Sequence, residues 1–545
     1  MALTGQPVII LREGTERSRG RQAQRNNIMA ARAVAGAVES TLGPRGRDKL
    51  LVDNLGDVLI TNDGATILDE LDVQHPAAKM LVQVSKTVDE QTGDGTTSSV
   101  VLAGELLRRA EELLEMKVHP TIIVASYNAA ANKAIELLAG LAKKTDSEED
   151  LRNIAKTALN SKAVSGERDF LSQIAVDAVR AIFDNGQADI ERISILQKQG
   201  KSLNESELVK GVVIDKEVVH SRMPREIVGA KIALLNLALE NKKTEFDAKI
   251  RINDASQVSA FLDEEERIIK DMVTKIQESG ATVVMSQKGI DDLAQHFLAK
   301  AGIMAIRRVK KSDMERIARS TGATILTNLE DLSPDDLGSA GSVKEEKLSG
   351  EKVVFVRDAP NPKSVAIILR GANKYFTDEA ERAIHDALCV VRDAMEDGTI
   401  VPGGGFVEMT LSKKLKEFAT TFSGREQLAV NAFAESLEVI PKVLAENAGL
   451  SSMDILIQMR SQGKGVNILA EENHVMDTMA AGVVEPVRVK KQVIRSASEA
   501  SELILRIDDV IVSKGGGDGG AGGMPPGGMG GMGGMGGMGG MPPMM

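Results

Sequence analysis

The stretch EQTGDGTTSSVVLAGELLRRAEELL, residues 90–114, joins a glycine-bracketed aspartate to four consecutive hydroxyl residues and then to apolar residues at helical spacing. That spacing predicts a helix of about six turns from Thr96 to Met116, with Thr-Gly-Asp-Gly before it as a loop. A helix start presents unpaired N–H groups and a partial positive charge, so it favours an anion. Glycine on both sides of Asp94 lets a bulky ligand approach the backbone, and Thr96, Thr97, Ser98 and Ser99 add donors. Asp94 would repel a bare phosphate. A divalent cation between them removes the conflict, because hard Mg2+ takes carboxylate and phosphate oxygens together. Two readings stay open at this level: a Mg–phosphate cradle without the lysine of a Walker loop, or a capped helix start after a tight turn.

Three more loops invite the same question. STLGPRGRDKL (40–50) sets Gly43 and Pro44 at a helix end, TNDG (61–64) sets Asp63 in a turn, and VPGGGF (401–406) clusters Gly403, Gly404 and Gly405 ahead of a helix. Each is also explained by turn chemistry alone.

Working outward, QAQRNNIMAARAVAGAVESTL (22–42) carries Ile28, Ala31, Ala35 and Val38 at helical spacing, and Pro76 to Val88 reads as a further helix. DVLITNDGATIL (57–68) reads as a strand, a turn at Asn62-Asp63-Gly64 and a second strand. The first ~145 residues are therefore mostly helical with one hairpin. From about 210 to 365 the texture changes. KGVVIDKEVV, AKIALLNLAL, ATVVMSQ, MAIRRV, ATILTN and KVVFVRD are short β-branched runs with helical segments between several of them, the pattern of a sheet covered by helices. Inside this region, residues 254–280 form an amphipathic helix with Val258, Phe261, Leu262, Ile268, Ile269, Met272, Val273 and Ile276 on one face and Asp254 or Ser256 as N-cap. After residue 400 helices return, ending in a strand-like DDVIVS.

The bulk numbers bound the function. A chain of 545 residues exceeds one ordinary core, so roughly two to four domains are expected. With 42% hydrophobic and 27% charged residues it folds as a soluble globular protein. A net charge of -11, two Tyr and no Trp offer nucleic acid neither a basic groove nor stacking platforms. No run reaches the ~18 apolar residues of a membrane span, and PVIIL (7–11) is too short for a signal peptide, so a cytoplasmic protein is expected. The single cysteine, Cys389, reads as a small buried core residue in a reducing compartment rather than a reactive thiol. The final segment, 515–545, holds 17 of the 51 glycines and eight of the 23 methionines; it is expected to be disordered, as a solvated linker or a methionine-bearing brush lining a cavity.

Taken together, TLGPRGRDKLLVD, ITNDGATIL, the block from His75 to Leu107, LNSK (159–162), KGVVIDK, VRDAMEDGTIVPGGG, VNI (466–468) and the run from Gly482 to Ile511 resemble the signature blocks of the group II chaperonins. The resemblance implies a multi-domain α and α/β fold. Its parts would be a mostly helical equatorial ATPase domain (1–146 and 403–514), a small α/β intermediate hinge domain (147–213 and 366–402), and an α/β apical domain (214–365). A helical protrusion at about 241–275 would act as a built-in lid, contacting a neighbouring lid or substrate through Ile250, Ile252 and Phe261. It also implies ATP and Mg2+ as cofactors. Asp94 would bind the metal, Gly95, Thr96, Thr97 and Ser98 the phosphates, and Gly43 with Pro44 would back the nucleotide. Asp63 and Asp386 would activate the attacking water, Lys162 would sense the γ-phosphate, Gly404 would flank the base, and Glu485 and Lys490 would stand at the ribose and base end. Without the resemblance, Asp386 reads as a solvent-facing residue of the helix ERAIHDALCVVRDAM (381–395). The implied function is an ATP-driven folding chaperone, a double ring of identical or paralogous subunits that encloses non-native polypeptides. A metabolic phosphotransferase or ligase, or a scaffold whose assembly nucleotide regulates, are the competing classes; the first lacks a visible acceptor site.

Overall fold

The computed structural model describes residues 15–513 apart from 53–54, 146, 161–163, 242–254, 349 and 362–363, and gives only the backbone of 15–16, 165, 255–262 and 512–513. The chain opens with β1 (Thr15–Arg19) and α1 (Gly20–Glu39), then a hairpin of β2 (Lys49–Val52) and β3 (Val58–Thr61). Helices α2 (Gly64–Glu70), α3 (Pro76–Thr92), α4 (Thr96–Glu115) and α5 (Pro120–Ala139) follow, then β4 (Lys143–Lys144), α6 (Glu148–Leu159) and α7 (Arg168–Ile182). Helix α4 buries 11 of its 20 residues, more than one amphipathic stripe supplies, so it is the central helix of this body. Gly104 is what lets α1 cross it closely, since a Cβ there would meet the Ala35 Cβ at 2.4 Å.

The middle of the chain builds sheets. Strand β5 (Ile193–Gln199) lies parallel to β14 (Val365–Gly371), whose other edge pairs with β6 (Glu207–Lys210). Between them runs a seven-stranded sheet of β7 (Val212–Ile214), β8 (Glu226–Leu235), β9 (Val283–Ser286), β10 (Met304–Ile306), β11 (Ile325–Leu326), β12 (Gly338–Leu348) and β13 (Glu351–Arg357). Parallel pairing joins β8, β9, β10 and β11, while β12 and β13 run antiparallel. Helices α8 (Ala255–Glu278), α9 (Asp292–Lys300) and α10 (Lys311–Thr321) alternate with these strands, and Ile269, Val273 and Ile276 of α8 enter the sheet's core. All six β-branched runs lie in this sheet. Strand β12 escapes the sequence reading because its alternation buries Gly338, Ala340 and Val343 among polar neighbours, with no continuous apolar run.

After β14 the chain enters α11 (Lys374–Asp397) and β15 (Thr399–Pro402), then α12 (Phe406–Ala419), α13 (Gly424–Ser436), α14 (Val439–Asn447) and α15 (Ser452–Gln462). A small hairpin, β16 (Gly465–Val466) with β17 (Val475–Met476), and β18 (Val484–Pro486) lead into α16 (Val487–Arg506) and β19 (Asp509–Ser513). The two ends of the chain meet here. Strand β19 pairs antiparallel with β1, α16 packs on α4 and α5, and Phe433 of α13 meets Tyr127 of α5 edge-on at 5.5 Å.

One expected element is different. The segment after Asp63 is not a second strand but α2, because the Asp63 carboxylate accepts hydrogen bonds from the Thr66 N–H at 2.8 Å and its hydroxyl at 2.7 Å, the geometry of an N-cap. The hairpin partner of β3 is β2, which precedes it. Helix α11 also turns Asp386 inward, where it is 8% exposed, against the solvent-facing reading. PVIIL, the segment 242–254 with Ile250, Ile252 and Asp254, the side chain of Phe261, Lys162 and the glycine–methionine tail lie outside the described residues. Among the described residues no helix is long and apolar enough to cross a membrane.

Phe433 is fully buried between helices from opposite ends of the chain. Phe433→Ala is expected to cost about 3–5 kcal/mol, read as a lowered denaturation midpoint; a loss under about 1 kcal/mol would contradict a shared core.

Candidate functional site

Helix α3 ends at Gly93 and α4 begins after Gly95, both in the left-handed region with φ 65° and 84°. The short link between them projects Asp94, whose carboxylate accepts the Gly95 N–H at 2.6 Å. No side chain caps α4, so its first N–H groups face the cleft above them without an Asx or Ser/Thr cap. The hydroxyls divide. Thr97 and Ser98 are half-buried and line the cleft with Thr96, whereas Ser99 is turned inward and donates to the Thr96 carbonyl at 2.7 Å.

That cleft gathers segments far apart in sequence. Its walls include Gly43 and Pro44 after α1, Asp63 at the start of α2, Asp94 to Ser98, Asp386 on α11, Gly404 before α12, Glu485 on β18 and Lys490 on α16. Every site residue predicted from the sequence is therefore in one place except Lys162, which lies outside the described residues. The three aspartates reach it from three elements. Asp63 does so as a helix cap, Asp94 from an inter-helix link, and Asp386 from the middle of a long helix that packs on both β5 and β14. Among the described residues no three Asp, Glu, His or Cys side chains form a self-sufficient cation cage.

Part of the cleft wall is apolar. Leu42, Ile440, Leu444, Val466, Ile468 and Leu469 line it. Gly404 admits the Val466 backbone, with φ 62° and a would-be Cβ only 2.0 Å from the Val466 oxygen, and the Val466 N–H donates to the Gly404 carbonyl at 2.8 Å. Sequence reading missed these apolar walls, together with Thr157, Asn160 and Asn467. Buried leucines and isoleucines carry no local signal of facing a ligand.

It also missed Glu408. The Lys490 ammonium is buried between Glu408 and Glu485, 2.8 Å from each. Burial opposes the charge on Lys490, but the two carboxylates hold the ammonium above the ordinary lysine range. Burial likewise lifts the Glu485 carboxyl above the usual carboxylate range, while Lys490 pulls the other way. Lys490→Met strands two carboxylates, Glu485 in the cleft wall and Glu408 behind it, and is expected to cost about 3–5 kcal/mol, read by chemical denaturation. Adding Glu408→Gln and Glu485→Gln should recover much of the loss; a neutral single variant would contradict the buried triad.

Residues 34–515 match the model of the TCP-1/cpn60 chaperonin family. The chain is 54% identical over 521 residues to a thermosome subunit of Pyrococcus horikoshii, covering 94% of this chain and 95% of that protein. It is 52% identical to a thermosome subunit beta of Methanothermobacter thermautotrophicus, over 95% and 97% of the two chains. A thermosome subunit of Methanopyrus kandleri is 53% identical over 94% and 96%. With a family match across nearly the whole chain, and relatives of that similarity along almost their full length, this protein belongs to the TCP-1/cpn60 chaperonin family and is a molecular chaperone.

Proposed function

We propose that the cleft binds and hydrolyses ATP with Mg2+, and that hydrolysis drives the enclosure of non-native polypeptides inside a double ring of these subunits in the cytoplasm. The observation that carries this reading is the meeting of Asp63, Asp94 and Asp386 at the uncapped start of α4. The residues fit the cofactor. Mg2+ is ordinarily held by one or two carboxylates plus phosphate oxygens, which matches a cleft with a carboxylate at a helix N-terminus and no complete cage of its own. When bound, the cation neutralises charge developing on the transferred phosphoryl group. Asp94 holds it, and the α4 N–H groups with Thr96, Thr97 and Ser98 hold phosphate oxygens. The apolar wall formed by Ile440, Leu444 and Ile468 receives the flat base. Asp63 and Asp386 orient a water in line with the γ-phosphorus and take its proton as the bond to ADP breaks.

The domain division at 146, 213, 365 and 402 belongs to this proposal. In favour of the boundaries at 213 and 365, the seven-stranded sheet has a core of its own, while the core shared by both chain ends also takes in α6, α7 and α11. Asp386 sits on the returning segment and already lines the cleft, so hydrolysis is expected while α11 stays packed there and is lost when it swings away, and Lys162 would report the γ-phosphate from the same side. Asp386→Ala is expected to keep ATP binding while lowering the phosphate-release rate on the order of 10²- to 10⁴-fold; an unchanged rate would remove Asp386 from the reaction.

Ring assembly has a candidate surface. The β2–β3 hairpin exposes Leu50, Val52, Leu55, Val58 and Ile60, an apolar strip that one isolated chain leaves in water. Leu50→Glu combined with Ile60→Glu is expected to give folded monomers or partial rings in analytical ultracentrifugation; intact rings would contradict a hairpin contact between subunits.

A further inference from the structure

Thr61, fully buried at the end of β3, lies two residues before Asp63 and makes two hydrogen bonds of opposite sense. Its Oγ1 accepts the backbone N–H of Asp63 at 3.1 Å, and its own proton goes to Oε2 of Glu379 at 3.0 Å. One hydroxyl supports both, since it offers a single donor and two acceptor sites. Glu379 sits on α11, 5% exposed, seven residues before Asp386. Seven residues are two helical turns, so the two carboxylates occupy one face about 10 Å apart along the axis.

We propose that Glu379 is a positioning residue for hydrolysis: through Thr61 it sets the backbone of Asp63 in register with the helix that delivers Asp386. The inference rests on the ATPase reading above and adds how its two proton-handling carboxylates are kept in step. Arg382 completes the arrangement. Its guanidinium bonds Glu379 Oε2 at 2.9 Å and reaches the Ile60 carbonyl at 3.5 Å, so the helix holds β3 at both Ile60 and Thr61. Glu379 Oε1 is buried with no hydrogen-bond partner among the described residues. An unmet buried carboxylate oxygen is costly, so the residue is poorly explained by stability alone. At the other side of the relay, Asp63 spends one carboxylate oxygen on capping α2, so its side chain follows its backbone. A shift of the Thr61 hydroxyl therefore moves the carboxylate itself.

The test uses the full-length assembled protein and four variants: Thr61→Val, Thr61→Ser, Glu379→Ala and the double variant Thr61→Val with Glu379→Ala. Nucleotide affinity is measured by equilibrium titration and hydrolysis by single-turnover phosphate release. Misplacing a reacting group by about 1 Å costs on the order of 100-fold. Thr61→Val and Glu379→Ala are therefore expected to lose about 10- to 100-fold in the single-turnover rate, with affinity within about twofold of the parent. Thr61→Ser, which restores the hydroxyl, should recover most of the rate. The double variant should be no slower than the worse single one, because both break one chain of bonds. A parental rate in Thr61→Val, multiplicative losses in the double variant, or affinity falling in parallel with rate would each overturn the relay. If the parent itself releases no phosphate from MgATP, the ATPase reading fails and takes the relay with it, an outcome distinct from those three.

Discussion

One close approach governs the whole site: α11 passes so near the Gly93–Gly95 link that position 93 has no room for a side chain. A Cβ there would lie 2.4 Å from the Cys389 Cβ and 2.6 Å from its sulfur. This contact brings Asp386, one turn earlier on the same helix, to the start of α4, although almost 300 residues separate them in the chain. It also accounts for the lone cysteine. Burial pushes the Cys389 thiol up to about 12, so it stays neutral and serves as packing beneath the link.

Helix α11 is held near both of its ends by side chains of the body it covers. Glu379 and Arg382 grip β3 near the first end. At the second end Arg488 of α16 bonds Asp393 at 3.1 Å and Glu396 at 2.8 Å, and pairs with Asp397. Asp393 is fully buried, and burial pushes it up to about 6 against the pull of Arg392 and Arg488. Arg488 lies two residues from Lys490, so the anchor of α11 and the charged wall of the cleft share the first turn of α16. On the proposed function, nucleotide chemistry and movement of the inserted sheets would meet on one helix, as conversion of hydrolysis into enclosure requires.

Much of this was legible in the sequence, for identifiable reasons. Glycine at 93, 95 and 404 marked places where backbone must turn left-handed or come close, and Asp94 between the first two marked a polar loop. The six β-branched runs announced their strands because a covered sheet buries both faces. What could not be read locally were features made by distance. The strand after Asp63 was expected because Asn-Asp-Gly fits a hairpin turn, yet the cap bond to Thr66 decided for a helix. Strand β12 has almost no apolar signal, and Glu408 became visible as a partner of Lys490 only when α12 and α16 met. The inward face of Asp386 is likewise a property of how α11 packs.

The most direct measurement is a cryo-EM map of the assembled protein with MgADP and aluminium fluoride, a mimic of the transferred phosphoryl group. The metal is expected against Asp94, the fluoride group over the first turn of α4, and Asp63 with Asp386 flanking the water opposite ADP. Fluoride density remote from Asp386 in a closed ring, or nucleotide bound elsewhere, would contradict it.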